Sequence, residues 1–150
     1  VSGVSRSGSA APDFAAVTTI ERAGEMLAQA RWVILTVPLT EATWRLVGDG
    51  VLSLCRGAFL INVARGAVID HDALGRALAS GALSGAALDV FETEPLPAAS
   101  PLWGHPRILV SPHCSALTEV HEAGDSVLGA WADLRAGRSP ALMVDPQRGY

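Results

Sequence analysis

The sequence predicts an α/β chain organised as a doubly wound parallel sheet, and three observations carry that prediction. Short runs of apolar or small residues recur at 32–37 (WVILTV), 58–63 (AFLINV), 84–90 (SGAALDV) and 107–111 (RILVS). Segments with helical spacing of apolar residues alternate with them, the pattern of parallel strands with covering helices. The 32–37 and 58–63 runs are apolar at successive positions rather than alternate ones, as strands buried on both faces must be.

Each element has a local reason. Residues 1–5 (VSGVS) read as a short strand and 7–12 (SGSAAP) as a loop by composition. Thr18 with Glu21 fits a capping box, after which Ala23, Met26, Leu27 and Ala30 follow at helical spacing. Pro38 ends the 32–37 strand, and a short helix is expected over 49–55. Gly66 lies in a turn after the 58–63 strand. Asp70 can cap a helix through Leu74, Ala77 and Leu78, with Gly81 where a C-terminal cap belongs. Residues 92–106 are proline-rich and read as an irregular arm. Leu117, Val120, Ala123, Val127, Leu128, Trp131 and Leu134 mark one face of a long helix, and a tail closes the chain.

A length of 150 residues favours one domain, or one domain and a fragment. With 49% hydrophobic and 17% charged residues, the chain can build a sizeable core and is not disordered. A net charge of −4 with scattered arginines gives no surface for nucleic acid or membrane. Two cysteines, Cys55 and Cys114, make neither a disulfide scaffold nor a CxxC zinc site, so no metal and a reduced, cytoplasmic setting are expected. No apolar run approaches the length of a membrane span, and the N-terminus lacks the order of a signal peptide.

A doubly wound sheet presents ligands to the carboxyl ends of its strands. The polar residues there are Ser5 and Arg6, Arg65, Asp89 and His113, with Pro38 closing the 32–37 strand. Arg65, in NVARG, either grips a planar carboxylate with two parallel hydrogen bonds or pairs with a nearby acid. His113, in SPHCS, is either a general acid or base or a satisfied structural histidine; His71, His105 and His121 compete, and His71 and His121 read as solvated. Glu94, in FETEPLP, is either an exposed loop acid or an imidazole's partner, favouring the charged ring and fixing its tautomer. Asp89 is an acceptor for a carboxamide, a cation ligand or a backbone cap. From position alone these choices stay open, and spacing does not name a reaction.

Four segments carry a resemblance that does: VPLTEATWRLVG at 37–48, GAFLINVARGAVIDHDALGRALASGALSGAALDVFETEPLP at 57–97, SPLWGHPRILVSPHCSALT at 100–118 and VDPQRGY at 144–150. Together they resemble the D-isomer-specific 2-hydroxyacid dehydrogenase family, in its C-terminal NAD(P)-binding part with a Rossmann-like fold. SRS at 5–7 and the closing stretch are most similar to the glyoxylate/hydroxypyruvate reductase branch. The resemblance implies a catalytic trio. Arg65 would bind the substrate carboxylate and keto oxygen, His113 would protonate that oxygen, and Glu94 would support the charged imidazole. Both charges would stabilise the alkoxide that develops as hydride arrives.

The resemblance also implies cofactor contacts. Val37 and Pro38 would lie against the adenosine part, and Val63 and Ala64 would approach the nicotinamide ribose. Asp89 would hold the carboxamide, while His113, Cys114, Ser115 and Ala116 would flank the ring. The side chains of Val37 and Val63 read equally well as core. NAD enzymes place an acid near residues 5–7 for the ribose hydroxyls; here Ser5, Arg6 and Ser7 suit a 2′-phosphate instead, so NADP is expected in preference to NAD. Cys114 beside His113 is expected to make the enzyme sensitive to thiol reagents.

The implied function is reduction of a small 2-keto acid, glyoxylate or hydroxypyruvate in type, to the D-2-hydroxy acid. Other family members, the phosphoglycerate, lactate or phosphite dehydrogenases, are the near alternatives; formate dehydrogenases are disfavoured because they usually lack an acid at the position of Glu94. A dinucleotide-sensing protein like the family's corepressors is the alternative from another class. A homodimer through the cofactor domain is expected, with Trp103 and the proline-rich arm contributing.

The chain departs from the family pattern in containing no GxGxxG, the loop that receives the pyrophosphate on a helix N-terminus. It also begins at Val1 without an initiator methionine. The expectation is therefore a partial dinucleotide-binding domain over 1–136, with a tail over 137–150 returning toward a substrate domain elsewhere in the parent protein. Such a piece alone should bind cofactor poorly, turn nothing over, and expose apolar strand edges where the central strand is missing.

Overall fold

The apolar runs become strands of one parallel sheet in a computed structural model that describes residues 1–116 and 119–146. The elements are β1 (Gly3–Val4), β2 (Val17–Thr18), α1 (Gly24–Gln29), β3 (Trp32–Leu35), α2 (Asp49–Leu52), β4 (Ala58–Asn62), α3 (His71–Ser80), β5 (Leu83–Leu88), β6 (Ile108–Val110) and α4 (Val120–Arg135). Short 3-10 turns occupy Ile20–Arg22 and Gly66–Val68. The chain forms two compact units, Val1–Pro112 and His113–Tyr150.

In the first unit, β3, β4, β5 and β6 lie side by side in that order and run parallel. Parallel pairing puts all four carboxyl ends on one edge, so the residues that follow β3, β4, β5 and β6 meet there. β4 and β5 are the inner strands, and Leu60, Leu83, Ala86 and Leu88 are sealed from solvent. Burying such a leucine contributes roughly 1.5–3 kcal/mol. The small residues of β5 have a steric cause. A Cβ at Gly85 would stand 2.6 Å from the Phe59 ring and 3.0 Å from the Arg107 carbonyl oxygen. Phe59 in turn packs on Trp32 of the next strand, ring centroids 5.3 Å apart.

α3 is built as its sequence indicates. The Asp70 carboxylate accepts the Asp72 and Ala73 N–H groups at 3.0 and 3.1 Å, Gly81 closes the helix at φ 82°, and Ala73, Leu74, Ala77 and Leu78 are buried. It packs on β5 and on α2. Arg76 clasps Asp49 of α2 through Nε and Nη2 at 3.0 and 2.7 Å.

Some boundaries differ from expectation. Residues 17–18 form β2, a strand of two residues paired in parallel with β1, too short to leave a period in the sequence. Thr18 therefore lies in a strand, and the following turn starts after Thr19. A Thr19 side-chain hydrogen bond holds the Glu21 carboxyl below its ordinary range. α2 stops at Leu52, shorter than the 49–55 expected. In the second unit α4 is present, but none of its residues is buried; Val120, Val127, Leu128, Trp131 and Leu134 are exposed, and Leu117 lies outside the described residues.

The expected apolar edge is present. Among the described residues β3 pairs only with β4, and Ile34 is 58% exposed. A groove of about 180 Å³ lies beside it, lined by Val4 of β1, Met26 of α1, and Trp32 and Ile34 of β3. No helix among the described residues is long and apolar enough to cross a membrane.

Asp70→Ala should lower unfolding free energy by about 1 kcal/mol, read by urea denaturation, because two helix N–H groups lose their acceptor. The Asp49–Arg76 pair gives a pH signature. The Arg76 guanidinium holds the Asp49 carboxyl below its ordinary value. Its contribution is therefore present above the unfolded carboxyl's pKa and lost as pH falls through the folded one. Arg76→Met should cost measurable stability at about pH 7 in low salt and nothing at about pH 2; an equal cost at both would refute an ionic contribution.

Candidate active site

Arg65 follows β4 in extended backbone (φ −148°, ψ 148°) and leads into the Gly66–Val68 turn. Three sets of contacts fix this position. Asn62, the last residue of β4, is fully buried and folds its amide over the strand end. Its Oδ1 accepts the Ala64 N–H at 3.0 Å and its Nδ2 donates to the Arg65 carbonyl at 3.0 Å. On the far side, Gly66 lies against the backbone of Phe91 and Glu92, where a Cβ would stand only 2.0 Å from the Phe91 carbonyl carbon. From below, the Arg45 N–H donates to the Ala67 carbonyl at 2.8 Å and the Val47 N–H to the Val68 carbonyl at 3.0 Å. The Arg65 guanidinium is exposed, and its Nη1 donates to the Ala64 carbonyl at 2.6 Å.

Glu94 lies on the turn that touches Gly66. Its Oε1 accepts the Phe91 N–H at 2.8 Å, and the Glu94–Pro95 peptide is cis. Arg45 ties the same turn to the segment after β3: its guanidinium sits 3.6 Å from Glu92 and 4.8 Å from the Trp44 ring centroid. The turns bearing Arg65 and Glu94 are thus in contact.

Asp89 follows β5 and is 3% exposed. Its N–H donates to the Asn62 carbonyl at 3.1 Å, and its Oδ1 accepts the Ser111 hydroxyl at 2.6 Å. Ser111, just past β6, also donates its N–H to the Leu88 carbonyl at 3.0 Å. A polar row, Asn62–Asp89–Ser111, therefore crosses the carboxyl ends of three adjacent strands.

The expected cofactor contacts are distributed as follows. Val37 is half-buried and Pro38 exposed. Thr43 holds that segment, its hydroxyl donating to the Pro38 carbonyl and accepting the Thr40 N–H, both at 2.7 Å. Val63 is half-buried and Ala64 buried. Ser5, Arg6 and Ser7 form an exposed turn after β1, in which Ser5 Oγ accepts the Gly8 N–H and Ser7 Oγ the Ser9 N–H. His113, Cys114, Ser115 and Ala116 are exposed and belong to the second compact unit; His113 adopts a left-handed backbone at φ 52°. Residues 147–150 of the closing stretch lie outside the described residues.

Of the other histidines, His121 is exposed as expected, whereas His71 is half-buried with its Nε2 shielded and without a hydrogen-bond partner among the described residues. The sequence reading missed Asn62, Thr43 and Ser111. Asn62 passes for strand interior within an apolar run, although an Asn two residues before a turn is a common backbone-bonding device. No group of three His, Cys, Asp or Glu among the described residues is placed to hold a metal.

A family model described as the NAD binding domain of the D-isomer specific 2-hydroxyacid dehydrogenases matches residues 1–115. A glyoxylate/hydroxypyruvate reductase A from Citrobacter koseri is 42% identical over 147 residues, 97% of this chain and 47% of that protein. The chain thus spans about half the length of the curated relatives it matches. A crystal structure of a D-isomer specific 2-hydroxyacid dehydrogenase from Xanthobacter autotrophicus Py2, in complex with NADPH and MES, superposes with a TM-score of 0.89 at 38% identity, over 100% of this chain and 62% of that one. An NADPH-dependent glyoxylate/hydroxypyruvate reductase from Sinorhizobium meliloti, in complex with NADP and sulfate, also gives 0.89, at 28% identity, over 99% of this chain and 48% of that one. With its parallel sheet and matched NAD binding domain, the chain belongs to the D-isomer specific 2-hydroxyacid dehydrogenase family.

Proposed function

We propose that the protein bearing this chain reduces a small 2-keto acid of the glyoxylate or hydroxypyruvate type to the D-2-hydroxy acid, using NADPH in preference to NADH. The observation that carries the reading is the state of Arg65. Its Nη1 is anchored to the Ala64 carbonyl, and the guanidinium stands exposed at the carboxyl end of β4 with its Nε–Nη2 edge unbonded among the described residues. That edge is the fork that matches a carboxylate. The reductase likenesses and the NADPH and NADP in two of the matched structures support the substrate class and the cofactor.

The residues present fit part of such a cofactor. Asp89, buried and already bonded by the Ser111 hydroxyl, suits an amide donor, which we assign to the carboxamide. Val37, Pro38, Val63 and Ala64 line the ends of β3 and β4, and the Ser5–Arg6–Ser7 turn offers the positive charge a 2′-phosphate requires. A bound nicotinamide supplies the hydride. In this proposal Arg65 binds the carboxylate and keto oxygen, His113 gives that oxygen its proton, and Glu94 favours the charged imidazole. His113, Cys114, Ser115 and Ala116 would flank the ring. We further take residues 1–136 as part of a dinucleotide-binding domain, 137–150 as a tail toward a substrate domain, and the protein as a cytoplasmic homodimer; the exposed Trp103 on the proline-rich arm supports that contact.

The test is turnover by the intact protein with glyoxylate and hydroxypyruvate, following NADPH and NADH separately. NADPH should be favoured, Arg6→Asp should reduce that preference, and His113→Ala should lower kcat by about 10²–10⁴-fold. Equal use of NADH would refute the role of Arg6, and no turnover with any short 2-keto acid would refute the reaction. Iodoacetamide should label Cys114, which is exposed, while Cys55 stays protected until the protein unfolds, since burial pushes its thiol pKa up. If Cys114 flanks the nicotinamide, labelling should also inhibit turnover and saturating NADPH should slow it.

A further inference from the structure

We infer that Asn62 is the positioning residue for Arg65: its buried amide sets the turn that aims the guanidinium, while its main chain carries the neighbouring Asp89. The inference rests on the carboxylate-binding role proposed for Arg65. The geometry separates two functions within one residue. Among the described residues the side chain bonds forward along its own chain, to the Ala64 N–H and the Arg65 carbonyl at 3.0 Å each. The backbone carbonyl bonds sideways, accepting the Asp89 N–H at 3.1 Å. The amide is fully buried, and its bond from the Ala64 N–H lies where water does not reach it.

The direction of each bond matters. An amide supplies an acceptor to Ala64 and a donor to Arg65 from two separate atoms, which the single oxygen of a hydroxyl does not. An aspartate would keep the acceptor and set a carboxylate oxygen against the Arg65 carbonyl. Alanine would leave the Ala64 N–H and the Arg65 carbonyl without these partners. Either change loosens the backbone at Ala64 and Arg65, leaving the Arg65 carbonyl to the Val68 N–H at 3.2 Å. The sideways bond to Asp89 survives both, because it is main chain to main chain. Asn62 should therefore act more strongly on carboxylate recognition than on dinucleotide binding, which its side chain reaches only through Ala64. A residue that merely stabilised the sheet would disturb both equally.

The experiment compares Asn62→Asp and Asn62→Ala with Arg65→Ala in the intact protein. Four quantities are read: KM for glyoxylate, Kd for oxalate as an unreactive carboxylate, Kd for NADPH by fluorescence, and hydrogen exchange at the Ala64 amide. We expect KM and the oxalate Kd to rise about tenfold or more in both Asn62 variants, as loss of a buried bond implies, with a clearly smaller rise in the NADPH Kd, transmitted through Ala64. Ala64 exchange should accelerate in Asn62→Ala. Unchanged KM and oxalate affinity in folded Asn62 variants, with Arg65→Ala impaired, would overturn the positioning role alone. An unimpaired Arg65→Ala would overturn the carboxylate role of Arg65 itself, and the exchange rate would still decide whether Asn62 holds the turn. Parallel weakening of oxalate and NADPH would mark Asn62 as a general support of the sheet and refute the inference.

Discussion

The contact on which the candidate site depends is backbone against backbone, Gly66 on Phe91 and Glu92. No side chain fits there, since a Cβ would stand 2.0 Å from a carbonyl carbon. The approach has consequences on both sides. It presses the turn that carries Arg65 onto the turn in which the Phe91 N–H fixes the Glu94 carboxylate. It also sets the Gly66–Val68 turn, from which Val68 meets the Val47 N–H and the chain passes through Ile69 into the Asp70 cap of α3. One missing methyl thus links the ends of β4 and β5 to the start of the helix that covers them.

Much of this fold was legible because parallel strands are buried on both faces. β4 wrote itself as an apolar run and β5 as a run of small residues under Phe59 and β6, whereas β3, expected to be buried from its apolar run, is an edge strand with Trp32 and Ile34 exposed. α3 was legible down to its caps, since Asp70 and Gly81 act through local backbone geometry that a single residue type announces. What escaped was decided by distant partners. β2 exists because Val17 and Thr18 lie beside β1, and two residues carry no period. The end of α2 at Leu52 was likewise placed too late by pattern alone.

The site divides along the same line. Arg65 and Asp89 could be picked out because a doubly wound sheet directs attention to residues after its strands. Glu94 follows a loop and carried no such positional signal; the family resemblance singled it out, and its fixed carboxylate is explained only by the turn at Phe91. Asn62 and Ser111 were overlooked because each sits at the limit of an apolar run and works by satisfying backbone or carboxylate groups there. A buried polar residue at the end of an apolar strand has to find partners, and here those partners are the candidate site residues beside it.

The folded-back guanidinium of Arg65 bears on how a small substrate can be held at all. Glyoxylate has few atoms, so its binding energy must come from a few charge-assisted bonds that are not spent on ordering a long side chain. An arginine free to rotate would surrender rotamer entropy on each binding event. Here Nη1 already rests on the Ala64 carbonyl, the Ala64 N–H rests on Asn62, and Gly66 closes the other side. One bond of the guanidinium is thus made without any ligand, and its Nε–Nη2 edge has no partner among the described residues. An arginine held off its own neighbours' acids in this way would suit the small carboxylate proposed above.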